Sequence, residues 1–285
     1  MSSGLEWCYP DDKPYSNHPT FDIERLIGWL QNFQVMTSTI KIQSIDKLPP
    51  IKGSALIIDK SMASTQFYNQ LSALHDYSGT IIVCDRAIQA LLSHEILPDY
   101  VLNVDASPLC FSFFDDPNVK KYMSEIRAVF PVTTNPLTVR LWHGERFFYT
   151  PVFGGLTRTL ASQSKTMIMP TGGQVASAAY VLAVNLGAKE IGLFGITHSY
   201  DSMDETEYPL NPEFHSRVEG PYGICWQDPV YEFYNREFQE FVRIAKQTHK
   251  ITTFNASKNG LLYSPDIEDV SLEEFVKRYG SQENV

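Results

Sequence analysis

The stretch PTGGQVASAAYVLAVNLGAKEIGLFGITHSY, from Pro170 to Tyr200, constrains the fold more than any other part of this chain. It reads as a glycine turn, a helix, a second turn and a buried strand that ends in polar residues. Gly172 and Gly173 open the helix and admit a ligand close to the backbone, because no Cβ stands in the way. Thr171 and Gln174 flank them, and the helix start offers free N–H groups to an anion. Val175, Ala178, Ala179 and Leu182 recur at helical spacing, and Gly187 stands where a helix stops. The strand 190–194 then releases Gly195, Thr197, His198 and Tyr200 at its carboxyl end, the rim where open α/β sheets bind ligands. An ordinary helix–strand unit with a flexible turn is the alternative reading, since paired glycines are common in turns.

A βα rhythm surrounds this unit. SALIID (54–59), TIIVCD (80–85) and YVLNVD (100–105) read as short apolar strands, with further strands at 128–132, 146–151 and 250–256. Helical spacing predicts helices over 21–33, 65–75, 87–94 and 231–247, and Ser271 with Glu274 forms a capping-box pattern for a last helix. Alternation of this kind implies parallel pairing in an α/β, Rossmann-like sandwich. The expected organisation is an irregular N-terminal arm and helix (1–50), a Rossmann-like domain (51–263) and a C-terminal helix (264–285). Segment 201–227 has no period and is too long for a connector, so it is expected to be a lid insertion.

The formal charge of −10 argues against a nucleic-acid or anionic-membrane surface. The cysteines at 8, 84, 110 and 225 form no CxxC pair, so no metal site is expected. The N-terminus lacks a signal-peptide pattern and no apolar run is long enough to span a bilayer. A cytoplasmic protein, with a homo-oligomer left open, is the expectation.

Asp85 and Asp105 end two strands and should meet His198 at the shared rim. An aspartate there is either a helix cap or a ligand contact. His198 is the candidate general base. Asn255 either offers an amide to a ligand or forms a turn before Ser-Lys-Asn-Gly. Tyr200, Tyr208, Tyr222 and Trp226, in or beside the expected lid, either stack on a ring or fasten the loop.

Three stretches carry a resemblance: CDRAIQALLSHEILPDYVLNVDASP (84–108), TGGQVASAAYVLAVNLGAKEIGLFG (171–195), and VEGPYGICWQDPVYEFYNREF with TTFNASKNGLLY (218–263). Their Asp85, Pro98-Asp99, Asp105 and glycine–helix–glycine unit resemble the family shared by archaeal 6-hydroxymethylpterin diphosphokinases and motility accessory factors, related to sialyltransferase-like Rossmann proteins. The third stretch looks closer to the motility accessory side. Two departures stand out. Where the family usually has a Gly-x-Gly-Pro-Ser turn, this chain reads Asp59-Lys60-Ser61-Met62-Ala63, so either Lys60 supplies a charge in place of a backbone cradle or the phosphate site is lost. Where it often has Gly-x-Asp-Leu, the chain has Gly195-Ile196-Thr197-His198.

The resemblance implies a nucleotide-sugar-dependent glycosyltransferase, using a CMP-activated nonulosonic acid or similar donor and a small-molecule or glycan acceptor, with no cofactor required. Thr171, Gly172, Gly173, Gln174, Gly195, Thr197 and Asn255 would bind the nucleotide, and Asp85, Asp105 and His198 would serve the reaction. One alternative is ATP-dependent diphosphokinase activity on a hydroxymethyl pterin, with both aspartates on magnesium. The other is a scaffold that kept the fold and lost catalysis.

Overall fold

The computed structural model describes residues 23–63, 69–152, 154–200 and 215–280. Strands β1 (Ala55–Ile58), β2 (Thr80–Cys84), β3 (Tyr100–Leu102), β4 (Arg127–Pro131), β5 (Arg146–Pro151), β6 (Ile168–Met169), β7 (Glu190–Phe194), β10 (Thr252–Asn255) and β11 (Ile267–Asp269) form one sheet. Its order is β11-β10-β7-β1-β2-β3-β4-β5-β6, and each pairing in it is parallel. The runs ALII and TIIVC are almost entirely buried, as central strands covered on both faces must be. Strand order reverses at β1: β2 to β6 run out on one side, and the chain returns to lay β7 on the other. The crevice at such a reversal opens at the carboxyl ends of the strands.

The α-helices of six residues or more among the described residues are α1 (Ile23–Thr39), α2 (Ile88–Ser93), α3 (Pro117–Tyr122), α4 (Pro136–Leu141), α5 (Thr157–Ser164), α6 (Val175–Asn185), α7 (Pro229–Ile244) and α8 (Leu272–Tyr279). On one face Phe33 and Met36 of α1, Leu91 of α2 and Phe275 of α8 share a core with Leu56, Val83 and Phe130. On the other, α6 lies between the sheet and α7, so Ala176 through Val184 are all buried. A helix apolar on every side belongs in such a place. It stops in a Schellman motif: Gly187, at φ +97°, donates to Val184 O, and Ala188 donates to Ala183 O. Helix α7 starts at Asp228, whose carboxylate accepts from Tyr231 N–H at 2.7 Å. Ser271 caps α8 as expected, its Oγ accepting from Glu274 N–H at 3.1 Å, while the Glu274 carboxylate pairs with Arg278.

Several expectations change. Helix α1 runs six residues past Phe33, to Thr39. In the predicted 65–75 helix, the described part is a 3-10 turn at Leu71–Asp76. Helices α3, α4 and α5 had no period long enough to reveal them. Past residue 263, β11 pairs with β10 and α8 packs Phe275 on Phe254. Of the expected lid, 201–214 lie outside the described residues. The rest forms an antiparallel hairpin, β8 (Ser216–Gly220) and β9 (Gly223–Gln227), closed by a glycine at φ +123°. No helix among the described residues is long and apolar enough to cross a membrane.

Candidate active site at the carboxyl rim

A cavity of about 350 Å³ opens where the strands end. The turn after β1 contributes Asp59 and Lys60, the turn after β2 Asp85 and Arg86, and the turn after β3 Asp105. Thr171, Gly173, Gln174 and Val175 line it from the glycine turn and the start of α6. Arg25 and Trp29 reach it from α1, and Tyr231 and Tyr234 from the first turns of α7. Three cations, three carboxylates and several aromatic rings thus face one space.

Asp85 is the most constrained of the carboxylates. It is buried, and Arg86 N–H donates to its Oδ1 at 2.8 Å while Asn103 Nδ2 donates to its Oδ2 at 2.7 Å. Asn103 is itself fully buried; its Oδ1 accepts from Thr134 Oγ1 at 3.1 Å and its carbonyl from Tyr149 Oη at 3.2 Å. Burial pushes the Asp85 carboxyl up to about 7; the bonds from Asn103 and Arg86 oppose the rise and neighbouring Asp59 adds to it. Burial also raises Asp59, against the Lys60 N–H bond at 2.7 Å. Asp105 is exposed, and its Oδ1 accepts from Ser107 N–H at 2.8 Å in a local turn.

The glycine turn differs in detail from the expected cradle. Gly172 and Gly173 both sit at positive φ, +56° and +81°. A Cβ on Gly172 would lie 2.9 Å from the Phe241 ring. Yet Gly173 N–H donates to Thr171 Oγ1 at 3.3 Å and Gln174 N–H to Thr171 O at 3.1 Å, so both point back into the turn. Gly172 itself faces Phe241 and Ser177 rather than the cavity.

His198 stands one layer behind the cavity wall. It is buried and its ring packs edge-on against Phe238, 5.6 Å between centroids. Asn235 donates through Nδ2 to Leu261 O at 3.0 Å, which turns its Oδ1 toward His198 Nδ1 at 3.3 Å. The ring proton therefore sits on Nδ1, and Nε2 accepts from Gln174 Nε2 at 2.8 Å. Burial pushes the imidazole down to about 4, partly opposed by Asn235. The residue expected to be a general base thus lacks contact with the cavity and instead orients Gln174, which does line it.

Gly195, Thr197 and Asn255 also lie off the cavity. Gly195 N–H donates to Ser257 Oγ at 2.8 Å, and Thr197 Oγ1 donates to Ser199 O at 3.1 Å. Asn255 is fully buried, accepts from Ser257 N–H at 3.0 Å and donates to Leu262 O at 3.1 Å, the turn-forming alternative. These residues hold the layer on which the cavity rests. Of the aromatics near the hairpin, Tyr200 fastens it: its backbone pairs with Trp226 and its hydroxyl donates to Asp228 at 2.8 Å.

The residues not singled out in the sequence are Arg25, Trp29, Arg86, Tyr231 and Tyr234. Arg86 had a legible signal, a cation directly after a strand-end aspartate, repeated in Asp59-Lys60. Arg25 and Trp29 had none, because nothing local places α1 at the rim. Asn32 does so in the fold, donating to Thr133 O at 3.1 Å and Ala106 O at 3.5 Å.

Residues 66–202 match the family model described as 6-hydroxymethylpterin diphosphokinase MptE-like. Over that span the chain is similar to the MptE-like family. The match takes in Asp85, Asp105 and the glycine turn, whereas α1 and α7 lie outside it. Among solved structures the chain is similar to the MAf glycosyltransferase from Magnetospirillum magneticum AMB-1, with a TM-score of 0.64 at 16% identity. The likeness covers 87% of this chain but 40% of that one, and it shows a shared fold. No curated protein matches the sequence.

Proposed function

We propose that this protein is a glycosyltransferase that moves a sugar from a nucleotide-activated donor, a CMP-activated nonulosonic acid or a similar one, onto a hydroxyl acceptor. The observation that carries this reading is Asp85: a buried carboxyl facing the cavity, clamped by Asn103 and poised at about 7. A general base works best with a pKa near the working pH. Asp85 would take the acceptor's proton as its oxygen attacks the anomeric carbon, while the bond to the donor phosphate breaks and its electron pair leaves with the phosphate. The cations lining the cavity would offset that developing charge. The structural likeness to a glycosyltransferase supports the fold this chemistry would use.

The family match favours a second reading, diphosphokinase activity on a hydroxymethyl pterin. Among the described residues no three His, Cys, Asp or Glu side chains stand together as an ion site. Magnesium held largely by substrate phosphates needs only one or two carboxylates, which Asp85 and Asp105 would supply.

The deciding experiment assays donor hydrolysis and transfer over CMP-, UDP- and GDP-sugars, and ATP-dependent pyrophosphorylation of the pterin, each with and without EDTA. Sugar turnover that survives EDTA and falls by about 10²–10⁴-fold in Asp85→Asn is expected. Pterin pyrophosphorylation that EDTA abolishes and magnesium restores would replace the first reading with the second.

A further inference from the structure

We propose that Lys60, latched by Tyr231, is the phosphate-binding cation of this cavity; that a nucleotide carries the phosphate rests on the donor reading above.

Lys60 follows β1 directly, at the strand where the sheet order reverses. Its backbone N–H is tied to Asp59 Oδ1 at 2.7 Å, so the turn that carries it is closed. Its Nζ donates to Tyr231 Oη at 2.7 Å and lies 5.5 Å from the centre of that ring. Tyr231 is a stiff post. Its own N–H is bound by the capping carboxylate of Asp228 at 2.7 Å, and its ring packs on Tyr200 at 4.9 Å. Tyr200 is fixed in turn by the same Asp228, through its hydroxyl at 2.8 Å. The lysine is thereby held in one place, and little rotamer freedom remains to be lost on binding.

An ammonium has three N–H donors. Among the described residues Tyr231 takes one, which leaves two for a ligand in the cavity that both residues line. Burial works against the charge, but Tyr231 and Asp59 more than offset it, so the ammonium stays protonated. In the glycine turn the N–H groups of Gly173 and Gln174 are bonded to Thr171 and so are directed away from an anion in the cavity. Asp59, Asp85 and Asp105 face the same space, so an anion without a matching cation would be repelled there. The Tyr231–Tyr200 contact also joins the lysine to the hairpin, since Tyr200 pairs with Trp226 of β9.

Calorimetric titration of the full chain with inorganic pyrophosphate and with CDP tests this, using Lys60→Met, Lys60→Arg and Tyr231→Phe. Lys60→Met should weaken both ligands by about 10–100-fold, the range for hydrogen bonds to charged groups. Lys60→Arg, which keeps the charge, should bind more tightly than Lys60→Met, and Tyr231→Phe should fall between wild type and Lys60→Met. Equal binding by wild type and Lys60→Met would overturn the proposal, as would a wild-type chain that binds neither ligand. Pyrophosphate binding lost in Lys60→Met, with CDP no tighter than pyrophosphate in wild type, would uphold the lysine while removing the nucleotide-donor reading.

Discussion

Asn103 donates its side-chain amide to Asp85 Oδ2 at 2.7 Å; both residues are buried, and of the two Asp85 lines the cavity. The amide serves the charged carboxylate: it lowers a pKa that burial alone would push higher. Asp85 can therefore ionise near neutral pH while its carboxyl group is held from both oxygens. Asn103 acts through Asp85 and is a positioning residue.

The pH dependence of turnover should report this bond. With the base near 7, the rate falls as pH drops below that value and Asp85 takes up a proton. Asn103→Leu removes the stabilising donor, so the acid limb should move to higher pH, with kcat reduced more than KM is changed. A pH–rate profile of the variant that overlays the wild-type curve would separate Asn103 from the base.

His198 makes a prediction about stability in acid. Its folded pKa is lowered to about 4, whereas an unfolded histidine titrates near 6.5. The unfolded chain binds the proton first, so this contribution to stability is complete above about 6.5 and is lost as pH falls toward 4. Asp85 works oppositely: its raised pKa penalises the fold as pH rises from about 4 to 7. The two overlap, so the variant rather than the wild-type curve isolates each. The difference in unfolding free energy between wild type and His198→Gln should shrink on going from pH 7.5 to pH 5 in denaturant titrations.

Gly172 is held by conformation and by space together. At φ +56°, with the Phe241 ring 2.9 Å from where a Cβ would stand, alanine is doubly disfavoured. Gly172→Ala should cost about 1–3 kcal/mol. Chemical denaturation measures it, and a change below about 0.5 kcal/mol would mean the turn relaxes freely.

Helix α1 should take part in binding. Trp29 and Arg25 line the cavity from outside the family match. Trp29→Ala should weaken a nucleotide by about 5–100-fold if its ring stacks on the base. Ligand-induced quenching of tryptophan fluorescence should vanish in Trp29→Phe. Quenching that persists would place the ligand away from α1.

Much of this architecture was legible locally. Short apolar, β-branched runs such as ALII and TIIVC suit buried central strands, and their alternation with helical segments implies parallel pairing. Asp85, Asp105, Thr171, Gly173 and Gln174 reach the cavity because a strand end in a parallel sheet has one place to go. The chain order of residues also placed Gly187 and Ser271 at helix ends, where capping depends on near neighbours alone. What only the tertiary structure decided is which rim residues line the cavity and which stand behind its wall. His198 and Asp85 follow strands in the same manner, yet α7 brings Asn235 and Phe238 over the histidine, while the aspartate is left facing the cavity. Likewise α1 joins the site through Asn32 and its bonds to Thr133 and Ala106, residues about a hundred and about seventy positions away. Periodicity tells which face of a helix is buried; it carries no information about what distant segment covers it, and that covering sets burial, pKa and access.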